Sequence, residues 1–596
     1  MKTPIAKLSF LLGTIVLLIA PAQAQIRPAI VQDTTSLGQN NQTIETLQQS
    51  LAITRSLGNR PDELHVLSQI GAFYKRLDQI SLSIVFYKQS VNIAESIRKD
   101  IRNLPRSQQE SYTKTVAKDY RILADLLLLQ GRILEAQQVL ELMKVQEIRD
   151  FTRNGKVRNE NAGIATTLAE ENILKEHGTF IAFGQKVFDC KRSQCSQLSQ
   201  LNDQLQALTQ QYNQTVQQFS QEIRDRRAQD DSFVDPNKFL PKARAIVEAQ
   251  PKTVLIYPLV MKDKLWIVWA SKGGIIKTVR LPVTQLQLGE TVVQFRQLLQ
   301  NPISSPQEVK AQGKVLYDWL IKPIESELQS NQIQNLVFSL DRTTRYIPMA
   351  ALYDGKQYLV ENYNISTILS ADLTDLRDRT ALSGPDVSTL ALGVSEAVRD
   401  FSPLPNVPAE LNAIVRQPPE KKGVYPGLKF LNQAFDFRNF RDNLFGHKIV
   451  HIATHAQFTT GRPENSFLLL GTGDKLTIPE IQTLQDLSEV QLVVLSACET
   501  ALGGADQEGT EVSGISSYFL NGGAKAVMAS LWTVDDASTS QLMRSFYNNL
   551  ATVNPSQKIT KAEALRRSQL ELLSSKNSEY IHPYFWAPFV ITGNGF

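Results

Sequence analysis

The chain has 596 residues, 20% charged and 42% hydrophobic, enough to bury a sizeable core without help from metals or disulfides. Its 63 Lys and Arg stand against 59 Asp and Glu, and a net charge of +4 offers no electrostatic footprint for nucleic acid. With 30 Gly and 26 Pro, the composition excludes collagenous and low-complexity classes.

In chain order, the first element reads as a secretory signal. Lys2 and Lys7 precede an apolar run from Leu8 to Ala20, and Ala22-Gln23-Ala24 has the small-x-small form of a cleavage site. Residues 1–24 are therefore expected to be removed after Ala24 and the protein exported, to a periplasm or beyond the cell. No later stretch is long and apolar enough for a membrane span, so the mature chain is expected to have no transmembrane helix. Export bears on the three cysteines. Cys190 and Cys195, close together in FDCKRSQCS, are a candidate disulfide in an oxidising compartment. Cys498 is left over, either buried and inert or kept for reactivity.

Residues 25–150 read as helical hairpins. Leu67, Ile70, Gly71, Tyr74, Ser83 and Tyr87 fall at helix-turn-helix spacings, which recur at Tyr120, Leu123, Ala124, Leu127, Ala136 and Leu140. Both copies resemble the tetratricopeptide (TPR) repeat, with some 19 extra polar residues between them around 98–116, and residues 47–63 resemble the second helix of an earlier copy. The resemblance implies a surface that binds a protein partner. Residues 151–245 form a helical extension and linker, in which Leu198, Leu201, Leu205, Leu208, Tyr212, Val216, Phe219 and Ile223 predict one long amphipathic helix.

Beyond residue 250 the pattern changes. TVLIYPLV and KLWIVWAS predict two strands joined by a turn at Lys262-Asp263-Lys264. Further strand-like runs at 336–340, 388–394, 448–454, 490–497, 524–532 and 587–593 alternate with helical patterns near 408–416, 434–445, 511–521, 537–550 and 561–574. Such alternation predicts an α/β domain with a mainly parallel sheet, whose chemistry gathers at the carboxyl ends of its strands.

Two strand ends stand out. KIVHIAT runs into His455, and VQLVVLSA runs into Cys498. An imidazole and an unpaired thiol at one sheet edge are the requirements of a cysteine nucleophile and its acid/base. The alternative is a structural cysteine at a buried strand end. In the segments LDRTTRYIPMAALYDGKQYLVENYNIS, IVHIATHAQF, LVVLSACETALGG, EVSGISSYFLNGGAKAVMASLWTVDD and HPYFWAPFVITG the chain resembles the CHAT domain, a caspase-like peptidase domain often found behind TPR repeats. The domain is expected over 250–596, with the best-matched part at 310–596. The resemblance implies an α/β caspase-hemoglobinase-like fold after an all-α TPR-like region, and a dyad of His455 and Cys498. It also implies an oxyanion site from the backbone N–H groups of Ala456 and Cys498. The family usually has Gly where this chain has Ala456, which restricts the backbone there.

For the substrate pocket, the candidates are Glu499 and Asp506 on the acidic stretch after the thiol, and Trp532 and Asp535 at another strand end; the carboxylates suit a basic substrate residue, or are simply solvated. His447, His451 and His455 share a strand face but lie too far apart for three ligands, so neither a metal nor another cofactor is expected. GTGDK (471–475) lacks the full phosphate-loop pattern and reads as a turn. The expected function is an exported cysteine endopeptidase acting on a protein or peptide substrate. The alternative is a catalytically inactive scaffold or adhesion-associated protein-binding module.

Overall fold

The computed structural model describes residues 37–151, 163–228, 241–272, 275–376, 382–383, 387–418, 422–458, 466–481, 487–496, 499–500, 510–552 and 558–596. The signal sequence expected at 1–24 lies outside the described residues. Helices fill the N-terminal region: α1 (Leu37–Ser56), α2 (Arg60–Arg76), α3 (Ile80–Asp100), α4 (Arg106–Leu129), α5 (Ile133–Phe151), α6 (Leu168–Ser193), α7 (Leu198–Ala228) and α8 (Pro241–Ala249). The residues that carried the repeat resemblance explain the packing of α2 on α3. Gly71 lets the Tyr87 ring approach to where a Cβ would stand 2.7 Å away, and Ser83 Oγ donates to the Gly71 carbonyl at 2.7 Å. The 19 extra residues fall where the two copies meet: α3 runs on to Asp100 and α4 starts at Arg106.

α6 is fixed to this layer by buried charge. Thr167 and Glu170 form a capping box at its start. Glu170 lies 2.8 Å from Lys88 Nζ and 2.7 Å from Arg132 Nη2, and Arg132 also pairs with Glu135 at 2.7 Å. Burial alone would raise the Glu170 pKa, but Arg132 and Lys88 outweigh it and hold the carboxyl at about 2. A depressed folded-state pKa stabilises the fold at pH values above the unfolded one. Stability should therefore fall between about pH 4.5 and pH 2, and Glu170→Gln should flatten that part of a pH series of urea melts. At the far end of α6, Cys190 and Cys195 are joined as a disulfide, with Cα atoms 5.0 Å apart.

The strands begin with β1 (Thr253–Val260), β2 (Leu265–Ser271), β3 (Ile275–Leu281), β4 (Asn335–Phe338), β5 (Asn364–Thr367) and β6 (Thr389–Gly393). They continue with β7 (Val415–Arg416), β8 (Tyr425–Leu431), β9 (Ile449–Ala453), β10 (Ala456–Phe458) and β11 (Phe467–Leu469). The last are β12 (Lys475–Thr477), β13 (Leu492–Leu495), β14 (Glu499–Thr500), β15 (Ala526–Ser530) and β16 (Phe589–Gly593). Among the described residues the main sheet has 12 strands in the order β3-β2-β1-β4-β5-β16-β15-β13-β9-β6-β8-β7. Its pairs are parallel except β1 with β2, β2 with β3, and β15 with β16. The first strands thus extend the main sheet. GTGDK turns between β11 and β12, with Gly473 N–H donating to the Leu470 carbonyl.

Both faces of the sheet are covered, as parallel strands require. Along β13, Leu492 and Val494 face a core that includes Val407 and Phe546, whereas Val493 and Leu495 face Phe519 and Phe440. At the β1–β2 end the second face is covered by the helical region itself. Leu123, Leu127, Val139 and Leu140 of α4 and α5 share one apolar cluster with Leu255, Tyr257, Trp266 and Val268. Polar ties surround that cluster. Arg121 forks onto Asp341 at 2.8 and 2.9 Å, Asp125 accepts from Trp266 Nε1 at 2.9 Å, and Gln137 donates to the Tyr257 hydroxyl at 3.0 Å. The helical region and the sheet are one packed body here.

Candidate functional site

The two strands expected to carry the dyad are neighbours. β9 and β13 run parallel, with Ile452 opposite Leu495. Counting three residues onward along the sequence from each gives His455 and Cys498. Cys498 and Asp506 lie outside the described residues. On the far side of both connections the chains pair again: β10 and β14 are parallel, with Gln457 opposite Glu499. The two chain segments that contain His455 and Cys498 therefore leave the main sheet side by side and enter a second, smaller sheet side by side.

His455 is held by a loop that follows β6. Its Nε2 lies 2.7 Å from the Ser402 carbonyl oxygen, and its ring packs on Phe401 at 5.1 Å between centroids. A carbonyl only accepts, so Nε2 carries the hydrogen and the neutral ring keeps its lone pair on Nδ1. That loop is itself anchored. Asn432, in the left-handed region at φ 52, accepts from the backbone N–H of Ser395 at 2.7 Å, and Val398 and Phe401 form an isolated bridge. The close approach of Gly471 fixes Asn432 in turn, since a Cβ at 471 would stand 1.7 Å from the Asn432 carbonyl.

Ala456 lies in extended β10 opposite Leu468, and it is 6% exposed. Its methyl belongs to the apolar cluster with Leu468, Leu470 and Val394. The side chain thus packs into the core, and a strand conformation suits an L-residue as well as Gly. Glu499 occupies the short strand β14. Trp532 is 2% exposed within the main core and its Nε1 lies 3.3 Å from the Tyr584 carbonyl. Asp535 caps helix Asp536–Leu550 by accepting from Ser538 N–H at 2.8 Å. The contacts of Trp532 and Asp535 are those of a core aromatic and a helix cap.

The other histidines of the strand have separate partners. His447 Nδ1 lies 2.8 Å from Ser388 Oγ, and burial lowers its pKa. His451 Nδ1 lies 3.0 Å from the Tyr547 hydroxyl. Sequence reasoning found His455 because it ends an apolar run. It missed Phe401, Ser402 and Asn432, which stand in loops with no periodicity to read.

The fold and this edge define a class: a helical N-terminal region packed onto a mixed α/β sheet, with a histidine presented where a parallel strand ends. Residues 310–594 match the CHAT domain model, and this part of the chain is a CHAT domain. The chain is also similar to tetratricopeptide repeat protein 28, 22% identical over 336 residues in Homo sapiens and 23% over 338 in Mus musculus. Each match covers 47% of this chain and 13% of the relative, so the chain spans only a small part of these relatives' length. Among solved structures, it is similar to the Saccharomyces cerevisiae separase–securin complex, at 10% identity and a TM-score of 0.40, covering 93% of this chain and 47% of that one. It is also similar to the Arg-specific cysteine proteinase gingipain R, at 11% identity and a TM-score of 0.30, covering 52% of this chain and 74% of that one. Among the described residues, no helix is long and apolar enough to cross a membrane.

Proposed function

We propose that the chain is a caspase-like cysteine endopeptidase, with Cys498 as nucleophile and His455 as general acid and base. The observation that supports it most is the double pairing of the segments bearing these residues, Ile452 with Leu495 before them and Gln457 with Glu499 after. In this mechanism Nδ1 of His455 takes the thiol proton, and the thiolate sulfur attacks the scissile carbonyl carbon. The backbone N–H groups of Ala456 and Cys498 face the oxyanion as the tetrahedral intermediate forms. The imidazolium then gives its proton to the departing amine. Water hydrolyses the thioester, and the thiol is restored. Ser402 keeps the ring in one tautomer throughout by accepting the Nε2 hydrogen.

The packing of Ala456 supports an open rather than a crowded site, which favours activity over an inactive scaffold. We further propose that the helical region receives a protein partner and that the acidic stretch after Cys498 favours a basic residue in the substrate. Comparing proteins cut by the wild type with those cut by Cys498→Ala, by mass spectrometry of new amino termini, tests the activity. Cut sites preceded by Asp would remove the basic preference.

Export is part of the same reading, and the Cys190–Cys195 disulfide fits an oxidising compartment. Expressed in its own cells, the protein should appear outside the cytoplasm with Gln25 as its first residue. Intact mass measurement checks this, and a cytoplasmic chain retaining Met1 would count against it.

A further inference from the structure

Beneath the proposed dyad lies a buried polar group that the mechanism does not use. Side chains alternate along a strand, so His451 of β9 faces the same side of the sheet as Ile449 and Ala453, towards the main core. Ser496, just past β13, shares that side with Leu492 and Val494. Helix Val407–Ile414 covers all of them. It sits so close to β6 that a Cβ on Gly393 would stand 2.5 Å from Val407.

From this helix Glu410 reaches the sheet, 1% exposed. Its Oε1 accepts from Ser496 Oγ at 2.9 Å and lies 2.8 Å from His451 Nε2, without the alignment of a hydrogen bond. The charged and titratable groups on it are therefore His451 and, one step further, Tyr547. A carboxylate buried this deeply is costly unless its partners compensate it, and its partners lie on the two strands that lead to His455 and Cys498. The same helix is joined to the His455 loop. The Val407 N–H of this helix donates to the Leu404 carbonyl at 3.2 Å, and Leu404 N–H donates to the Ser395 carbonyl at 3.1 Å; at the junction, the backbone N–H and side-chain amide of Asn406 both donate to Asp536 at 2.8 Å.

We propose that Glu410 is a positioning residue, which fixes Ser496, two residues before the nucleophile, against the loop that orients His455. This rests on the dyad reading given above. With Cys190 and Cys195 joined, Cys498 is the free thiol of the full chain, so iodoacetamide uptake reports on it alone. Ser496→Ala and Glu410→Gln should each slow alkylation at pH 7 by about tenfold, as small misplacements of reacting groups do. They should also move its pH profile upward, with the Ser496→Ala thermal midpoint within a few degrees of wild type. The double variant should be no slower than the slower single one, since both act through one contact. Glu410→Gln, which keeps shape and acceptor, should recover part of the rate lost in Glu410→Ala. Unchanged rates in Ser496→Ala and Glu410→Gln, or fully additive losses, would overturn the positioning role if His455→Ala still slows alkylation. An unchanged rate in His455→Ala would instead overturn the dyad, and this proposal with it.

Discussion

Cys498→Ala should abolish peptide-bond cleavage, and His455→Ala should slow it by about a thousandfold or more, as removal of a nucleophile's partner does elsewhere. The two losses should not add, because each residue is useless without the other. The thiolate is the reactive form, and its population at neutral pH depends on a base within reach. His455 has the tautomer for that task, with Nε2 committed to Ser402 at 2.7 Å. A panel of fluorogenic peptides ending in Arg, Lys, Asp and Leu measures both variants against the wild type. Turnover in Cys498→Ala equal to wild type would end the peptidase reading, and the protein-binding scaffold would take its place.

The second large effect concerns stability. Asp341 is 1% exposed, accepts both arms of the Arg121 guanidinium, and also accepts the Val260 N–H at 2.9 Å. Burial alone would raise its pKa, but the Arg121 guanidinium outweighs burial and holds the carboxyl well below the usual carboxylate range. Asp341→Ala removes the carboxylate that both arms of the buried, still charged Arg121 guanidinium bind and takes away the acceptor of the Val260 N–H, which should cost about 3–5 kcal/mol. Replacing both partners by apolar residues, Arg121→Met with Asp341→Leu, should restore much of that loss. Urea denaturation of the full chain measures both. A loss below about 1 kcal/mol in Asp341→Ala would mean that the apolar cluster alone holds helices and sheet together.

Much of the fold was legible because its elements obey simple periods. The strands at 253–260, 449–453, 492–495 and 526–530 are short, apolar and β-branched, and α7 repeats its apolar residues every three or four positions. The illegible parts have weaker patterns. β5 is the polar NIST, and β8 contains Pro426 and Gly427 and lies next to the edge strand β7. Helices Gln285–Leu299 and Pro306–Leu320 sit in a stretch for which the sequence reading placed no element. At the site, the strand that ends in His455 was readable from its sequence alone. Its partners were not, because Ser402 contributes a main-chain oxygen from 53 residues away and Glu410 acts from a helix whose pattern says only that it is amphipathic. Long-range geometry decides such contacts.

The stretch that defines the CHAT domain begins at residue 310, yet the sheet it belongs to begins at residue 253. β4 lies inside that stretch, and its neighbour β1 lies outside. A fragment cut at the family boundary would carry a bare strand edge, and one cut at 250 would present Leu255, Tyr257, Trp266 and Val268 to water. Recombinant work on this protein therefore calls for the whole body from α1 onward. A shortened piece that precipitates would report a severed core, and its silence in an assay would say nothing about its chemistry.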